Sequence, residues 1–85
     1  MSKGEGTLYR VKRGERVVIR SLPTDDALRS QCIRLGMSIG APLHCIERLP
    51  GGTVVVESAR QEIALGRSLA EKIGVENADT DQLSR

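Results

Sequence analysis

Residues 43–58, Leu43-His44-Cys45-Ile46-Glu47-Arg48-Leu49-Pro50-Gly51-Gly52-Thr53-Val54-Val55-Val56-Glu57-Ser58, decide how this chain folds. A run of strand length enters Pro50-Gly51-Gly52, and the β-branched run Thr53-Val54-Val55-Val56 leads back out. Proline presets φ and glycine accepts positive φ without a Cβ clash, so this tripeptide can reverse the chain. Valine and threonine favour the pleated, half-buried surface of a strand. The spacing predicts a β-hairpin with Gly51 and Gly52 as structural turn residues.

Upstream of it, Arg16–Leu22 is β-branched at its centre and bounded by Gly14 and Pro23, a second strand. Leu8-Tyr9-Arg10-Val11 is a short candidate strand, followed by a turn at Lys12-Arg13-Gly14-Glu15. Downstream, Ala59-Arg60-Gln61 turns the chain into Glu62–Leu65, and Val75 marks a last short strand. One helix is signalled between them. Thr24 or Asp25 caps it, and Asp25 and Asp26 place negative charge at the positive end of its dipole. Leu28, Cys32 and Leu35 form one apolar stripe, with Arg29 and Arg34 towards water. Gly36 stands where a left-handed residue ends a helix. A shorter helix is expected from about Arg67 to Ile73, with Ser68 and Glu71 at capping-box spacing and Gly74 as its stop. The elements amount to a mainly β domain with short helices, a small barrel with a helix over its mouth. Closure would remove the exposed strand edges. Residues 1–7 are expected to be a flexible N-terminus, 8–76 the folded domain and 77–85 a flexible tail.

Composition narrows the function. The chain has 85 residues, enough for one small domain, and is 39% hydrophobic and 28% charged. Tyr9 is its single aromatic residue, so the core must be built from Val, Ile, Leu and Ala. Cys32 and Cys45 are too few for a secreted disulfide framework. Met1-Ser2-Lys3-Gly4-Glu5-Gly6 lacks the apolar run of a signal peptide, and no apolar run approaches the length of a membrane span. The expectation is a cytoplasmic protein with reduced thiols. Net charge is only +2, and six basic against two acidic groups in residues 1–20 carry the positive bias.

Each candidate chemistry can be weighed on its residues. His44 and Cys45 are strand neighbours pointing to opposite faces, and no short Cys or His spacing completes a zinc site, so no metal ligand is assigned. Cys32 on an apolar stripe is a buried small hydrophobe. His44 has no local nucleophile or carboxylate partner, and neither Gly51-Gly52 nor the Gly36–Gly40 pair precedes the Lys-Ser/Thr of a phosphate loop. No catalytic residue and no cofactor follow, and the chain is not read as an enzyme. Lys3, Arg10, Lys12, Arg13, Arg16 and Arg20 could touch phosphate, but readers of single strands stack bases on aromatic rings, and Tyr9 alone is a poor platform. Grooves for proline-rich peptides need aromatic walls too.

Three stretches carry a resemblance. Arg29-Ser30-Gln31-Cys32-Ile33-Arg34-Leu35-Gly36-Met37-Ser38-Ile39-Gly40, Pro50-Gly51-Gly52-Thr53-Val54-Val55-Val56 and Glu62-Ile63-Ala64-Leu65-Gly66-Arg67-Ser68-Leu69-Ala70-Glu71-Lys72-Ile73-Gly74-Val75 resemble the FeoA family of ferrous iron transport proteins. The likeness covers about residues 8–76. It departs at Ala59-Arg60, where family members often carry glycine. The resemblance implies a small SH3-like β-barrel with an inserted helix and a short C-terminal helix, acting as an accessory or regulator of a FeoB-type membrane GTPase that transports ferrous iron. It implies protein binding, with no nucleic acid, and contact with the membrane only through the partner. An iron-dependent repressor shares the fold but would need an attached DNA-binding domain. The expected partner-facing patch lies at the helix end and nearby turn, with Arg29 and Arg34 for charge-assisted contacts and exposed Met37 as an apolar anchor. The alternative is that Met37 folds back onto the barrel as the hydrophobic contact that accompanies a helix C-cap, and Gly36 and Gly40 are structural turn residues. The runner-up is a basic small barrel that binds RNA or ribosomal structures. A third reading is an oligomeric metal-sensing module, and self-association into a homo-oligomer is left open.

Overall fold

The structure, a computed structural model, describes residues 5–78. Residues 1–4 and 79–85, most of the two ends expected to be flexible, lie outside the described residues. Six strands run as β1 (Glu5–Thr7), β2 (Arg16–Ser21), β3 (Pro42–Leu49), β4 (Thr53–Ser58), β5 (Gln61–Leu65) and β6 (Gly74–Asn77). Helix α1 (Asp26–Arg34) joins β2 to β3, and helix α2 (Arg67–Ala70) joins β5 to β6. The described strands begin at Glu5 and end at Asn77.

All the pairings are antiparallel and the strand order is β1-β6-β2-β3-β4-β5. The expected hairpin is present, with Leu49 opposite Thr53 across Pro50-Gly51-Gly52. Two register shifts, at Cys45/Glu47 in β3 and at Ile19/Ser21 in β2, each leave one residue unpaired. Such bulges bend and twist a strand, which curls the sheet into a small SH3-like barrel. Period-2 alternation fills its interior: Val17 and Ile19, Leu43 and Cys45, Val54 and Val56, Ile63 and Leu65 all point inward and are buried. Met37, Leu69, Ala70 and Ile73 complete a core of aliphatic and sulfur-bearing side chains.

Four expectations are corrected. Leu8-Tyr9-Arg10-Val11 is not a strand: Leu8–Arg10 form a 3-10 turn. Leu8 and Val11 are both buried while Tyr9 and Arg10 between them are not, a period of three that suits a tight helical turn. The Leu8 N–H donates to the Ile73 carbonyl at 2.8 Å, which seats the turn across one end of the barrel. Helix α2 stops at Ala70 rather than Ile73, and Gly74 opens β6 instead of ending a helix. No capping box forms there, because Gly66 occupies the cap position and the Glu71 carboxylate instead accepts from Arg67 Nε at 2.8 Å. Finally, β1 and β5 are the two sheet edges, and no ladder joins them among the described residues. Among the described residues the barrel therefore keeps the open edge that closure was expected to remove.

Candidate docking site

Helix α1 is fixed firmly at both ends. The Asp25 carboxylate accepts from the Ala27 and Leu28 N–H groups at 2.9 and 3.1 Å, and Asp26 pairs with Arg29 at 2.7 Å. At the other end Gly36 takes φ +88°, the Gly36 N–H donates to the Ile33 carbonyl and the Met37 N–H donates to the Cys32 carbonyl at 2.9 Å. This pair of bonds is the Schellman motif, which turns the residue after the glycine back onto the helix.

That geometry corrects the expected anchor. Met37 is 0% exposed and belongs to the core, so it cannot meet a partner. The large apolar residues left exposed at this end are Ile33 and Ile39, at 55% and 66%. Sequence reasoning overlooked both, although Ile33 does fall off the Leu28-Cys32-Leu35 stripe. Arg29 and Arg34 are exposed, but five residues apart they project about 140° from each other around the helix axis. They flank an exposed ridge rather than form one cluster, and Arg29 is already tied to Asp26. Among the described residues the Arg34 side chain has no ion-pair or hydrogen-bond partner.

The other flank of α1 builds a groove. Leu28, Gln31 and Leu35 form one wall, β5 from Gln61 to Leu65 forms the floor, and Ser68 and Leu69 close the end around about 610 Å³. Within β5, Ile63 and Leu65 are buried whereas Glu62 and Ala64 are exposed. Because β5 is an edge strand, the N–H and C=O groups on its outer side have no ladder partner among the described residues. A groove with an apolar wall beside a free strand edge is suited to receiving an extended segment of another protein, which adds as a further strand.

Both cysteines are free and buried, and burial pushes both thiols above their ordinary pKa; at Cys45 the nearby Arg48 guanidinium only partly opposes this. His44, next to Cys45, faces the opposite side and lies 3.9 Å from the Glu57 carboxylate. Among the described residues no three His, Cys, Asp or Glu side chains gather as a metal site. The Arg48 and Arg67 guanidiniums each lie 5.1 Å from the centroid of the half-buried Tyr9 ring. Among the described residues no helix is long and apolar enough to cross a membrane.

Known proteins place this geometry in context. The family model described as the FeoA domain matches residues 6–77. A protein of Methanocaldococcus jannaschii named Fe(2+) transport protein A is 34% identical over 68 residues, spanning 80% of this chain and 82% of that one. The solution structure of the FeoA protein from Chlorobium tepidum superposes with a TM-score of 0.76 at 28% identity, covering 84% of this chain and 69% of that one. A manganese-dependent transcriptional repressor has the same fold at TM-score 0.82 and 18% identity, over 91% of this chain and 38% of that longer one. With the model match running through nearly every described residue, the chain belongs to the FeoA family.

Proposed function

We propose that this chain is a non-enzymatic accessory protein of ferrous iron uptake, which docks on the cytoplasmic part of a FeoB-type membrane GTPase. Family membership supports the iron-uptake setting, and the name of the archaeal relative refers to Fe(2+) transport. The single observation that carries docking is the unpaired outer edge of β5 beside the apolar wall of α1. A partner strand laid along β5 gains main-chain hydrogen bonds, and Leu28 and Leu35 contact its alternate side chains. Arg34, one residue before the groove-lining Leu35, supplies a charge-assisted contact outside the groove, while Arg29 contributes less because Asp26 already holds it.

The test is binding to the purified cytoplasmic part of the transporter from the same organism. Ala64 is exposed and lines the groove, so Ala64→Arg should fill it without disturbing the core. The expected result is at least about a tenfold loss of affinity, a change of about 1.4 kcal/mol, with an unshifted melting temperature. Arg34→Glu should weaken binding more than Arg29→Glu. Full affinity in a folded Ala64→Arg protein would rule out the groove. Binding to RNA that falls steeply with salt, with none to the transporter, would favour the nucleic-acid alternative.

A further inference from the structure

A second cavity lies apart from the docking groove and shares no lining residue with it. It is an open cleft of about 480 Å³ at the ends of β2, β3 and β4, with Arg16, His44, Glu57 and Arg60 among its walls and Pro42 and Ala59 as apolar surface. Strand register sets the charged row: Arg16 stands opposite His44, and His44 opposite Glu57. Residues directly opposite in antiparallel strands project from the same face, so these three side chains share one side of the sheet. Arg60 joins them from the β4–β5 turn.

Two features set this cavity apart from ordinary charged surface. The first is that two unengaged arginines line one cavity: Arg20, Arg29, Arg48 and Arg67 hold carboxylates or backbone carbonyls, whereas among the described residues the guanidiniums of Arg16 and Arg60, like those of Arg10, Arg13 and Arg34, hold nothing. Two unpartnered guanidiniums therefore face one cavity, and among the described residues that line it the single carboxylate is Glu57, which lies beside His44. The second is the backbone that presents Arg60. Ala59 and Arg60 have φ of +53° and +72°, a region disfavoured for L-residues with a Cβ. A two-residue hairpin turn demands positive φ at both its central positions, and this turn places Arg60 at the cavity wall.

We infer that this cavity binds a small organic anion, a carboxylate or phosphate ester, whose charged head lies between Arg16 and Arg60 and whose apolar body rests on Pro42 and Ala59. Planar guanidiniums match both kinds of head through paired N–H donors. The cavity volume lies in the range of small-molecule sites, about 300–1,000 Å³. The site is independent of the docking groove and does not rest on the transporter reading.

Titration of ¹⁵N-labelled protein with phenyl phosphate, benzoate, inorganic phosphate and benzyl alcohol tests it. Phenyl phosphate or benzoate should shift the amides of Val17, His44, Ala59 and Arg60 saturably, and whichever binds tighter identifies the head group. Inorganic phosphate should bind more weakly, and neutral benzyl alcohol should leave these amides unmoved. Arg60→Gly keeps the turn and relieves its strain, so a folded variant is assured; it and Arg16→Gln should each raise Kd at least about tenfold. Ala64→Arg, in the other groove, should leave Kd unchanged. Absence of saturable shifts, equal binding of benzyl alcohol, or an unchanged Kd in Arg60→Gly would each overturn the assignment.

Discussion

Replacing the β4–β5 turn Ala59-Arg60 by Asn-Gly should stabilise the domain, and the size of the gain can be worked from the backbone. Ser58 pairs with Gln61, so the two strands are joined by only two residues, both at positive φ. That is the type I′ geometry which Asn-Gly adopts with least strain. A left-handed residue with a Cβ costs about 1–2 kcal/mol, and glycine at Arg60 removes that cost. Glycine also adds chain entropy to the unfolded state, an opposing effect of about 0.5–1 kcal/mol. Asparagine at Ala59 recovers a further part, because its side chain tolerates this region. The net expectation is a gain of about 1 kcal/mol, or about 4–8 °C in melting temperature for a domain of this size. Urea unfolding should show a higher midpoint with an unchanged slope. An unchanged or lower midpoint would mean that the turn is unstrained or that Arg60 makes a stabilising contact, and the reasoning would fail.

Four further outcomes follow from the same geometry. Gly36→Val should cost at least about 1–2 kcal/mol in thermal unfolding, purely from backbone strain, because a Cβ there meets nothing within 4 Å. Met37→Ala should cost about 2–5 kcal/mol by denaturant titration, since a fully buried side chain is lost. A Cβ on Gly74 would run into Ser21 Oγ, so Gly74→Ala should lower the melting temperature and Ser21→Gly should restore much of the loss. The buried thiols should resist iodoacetamide until the protein unfolds. Because burial raises the thiol pKa in the folded state, stability should fall as pH climbs past the unfolded thiol value of about 8.5, and a Cys32→Ala, Cys45→Ala protein should lose that part of the slope.

What the sequence determined by itself is local. Pro50-Gly51-Gly52 between two apolar runs specifies a hairpin because turn residues and pleat alternation act over a few bonds. Asp25, the Leu28-Cys32-Leu35 stripe and Gly36 specify a helix with both its ends for the same reason. Near-absence of aromatic rings likewise limits what the surface can recognise. What tertiary structure alone decided depends on residues distant in the chain. Leu8 forms a 3-10 turn because Ile73 offers its carbonyl there, and neighbouring residues give no sign of that partner. Met37 is buried because the C-terminal turn of α1 folds against a barrel built mostly after it in sequence. The groove exists because α1 lies beside β5, about thirty residues later, and because no strand among the described residues pairs with the outer side of β5. Likewise Arg16, His44, Glu57 and Arg60 meet only through strand register. Which side chains share a surface is set by long-range pairing, and no local propensity encodes it.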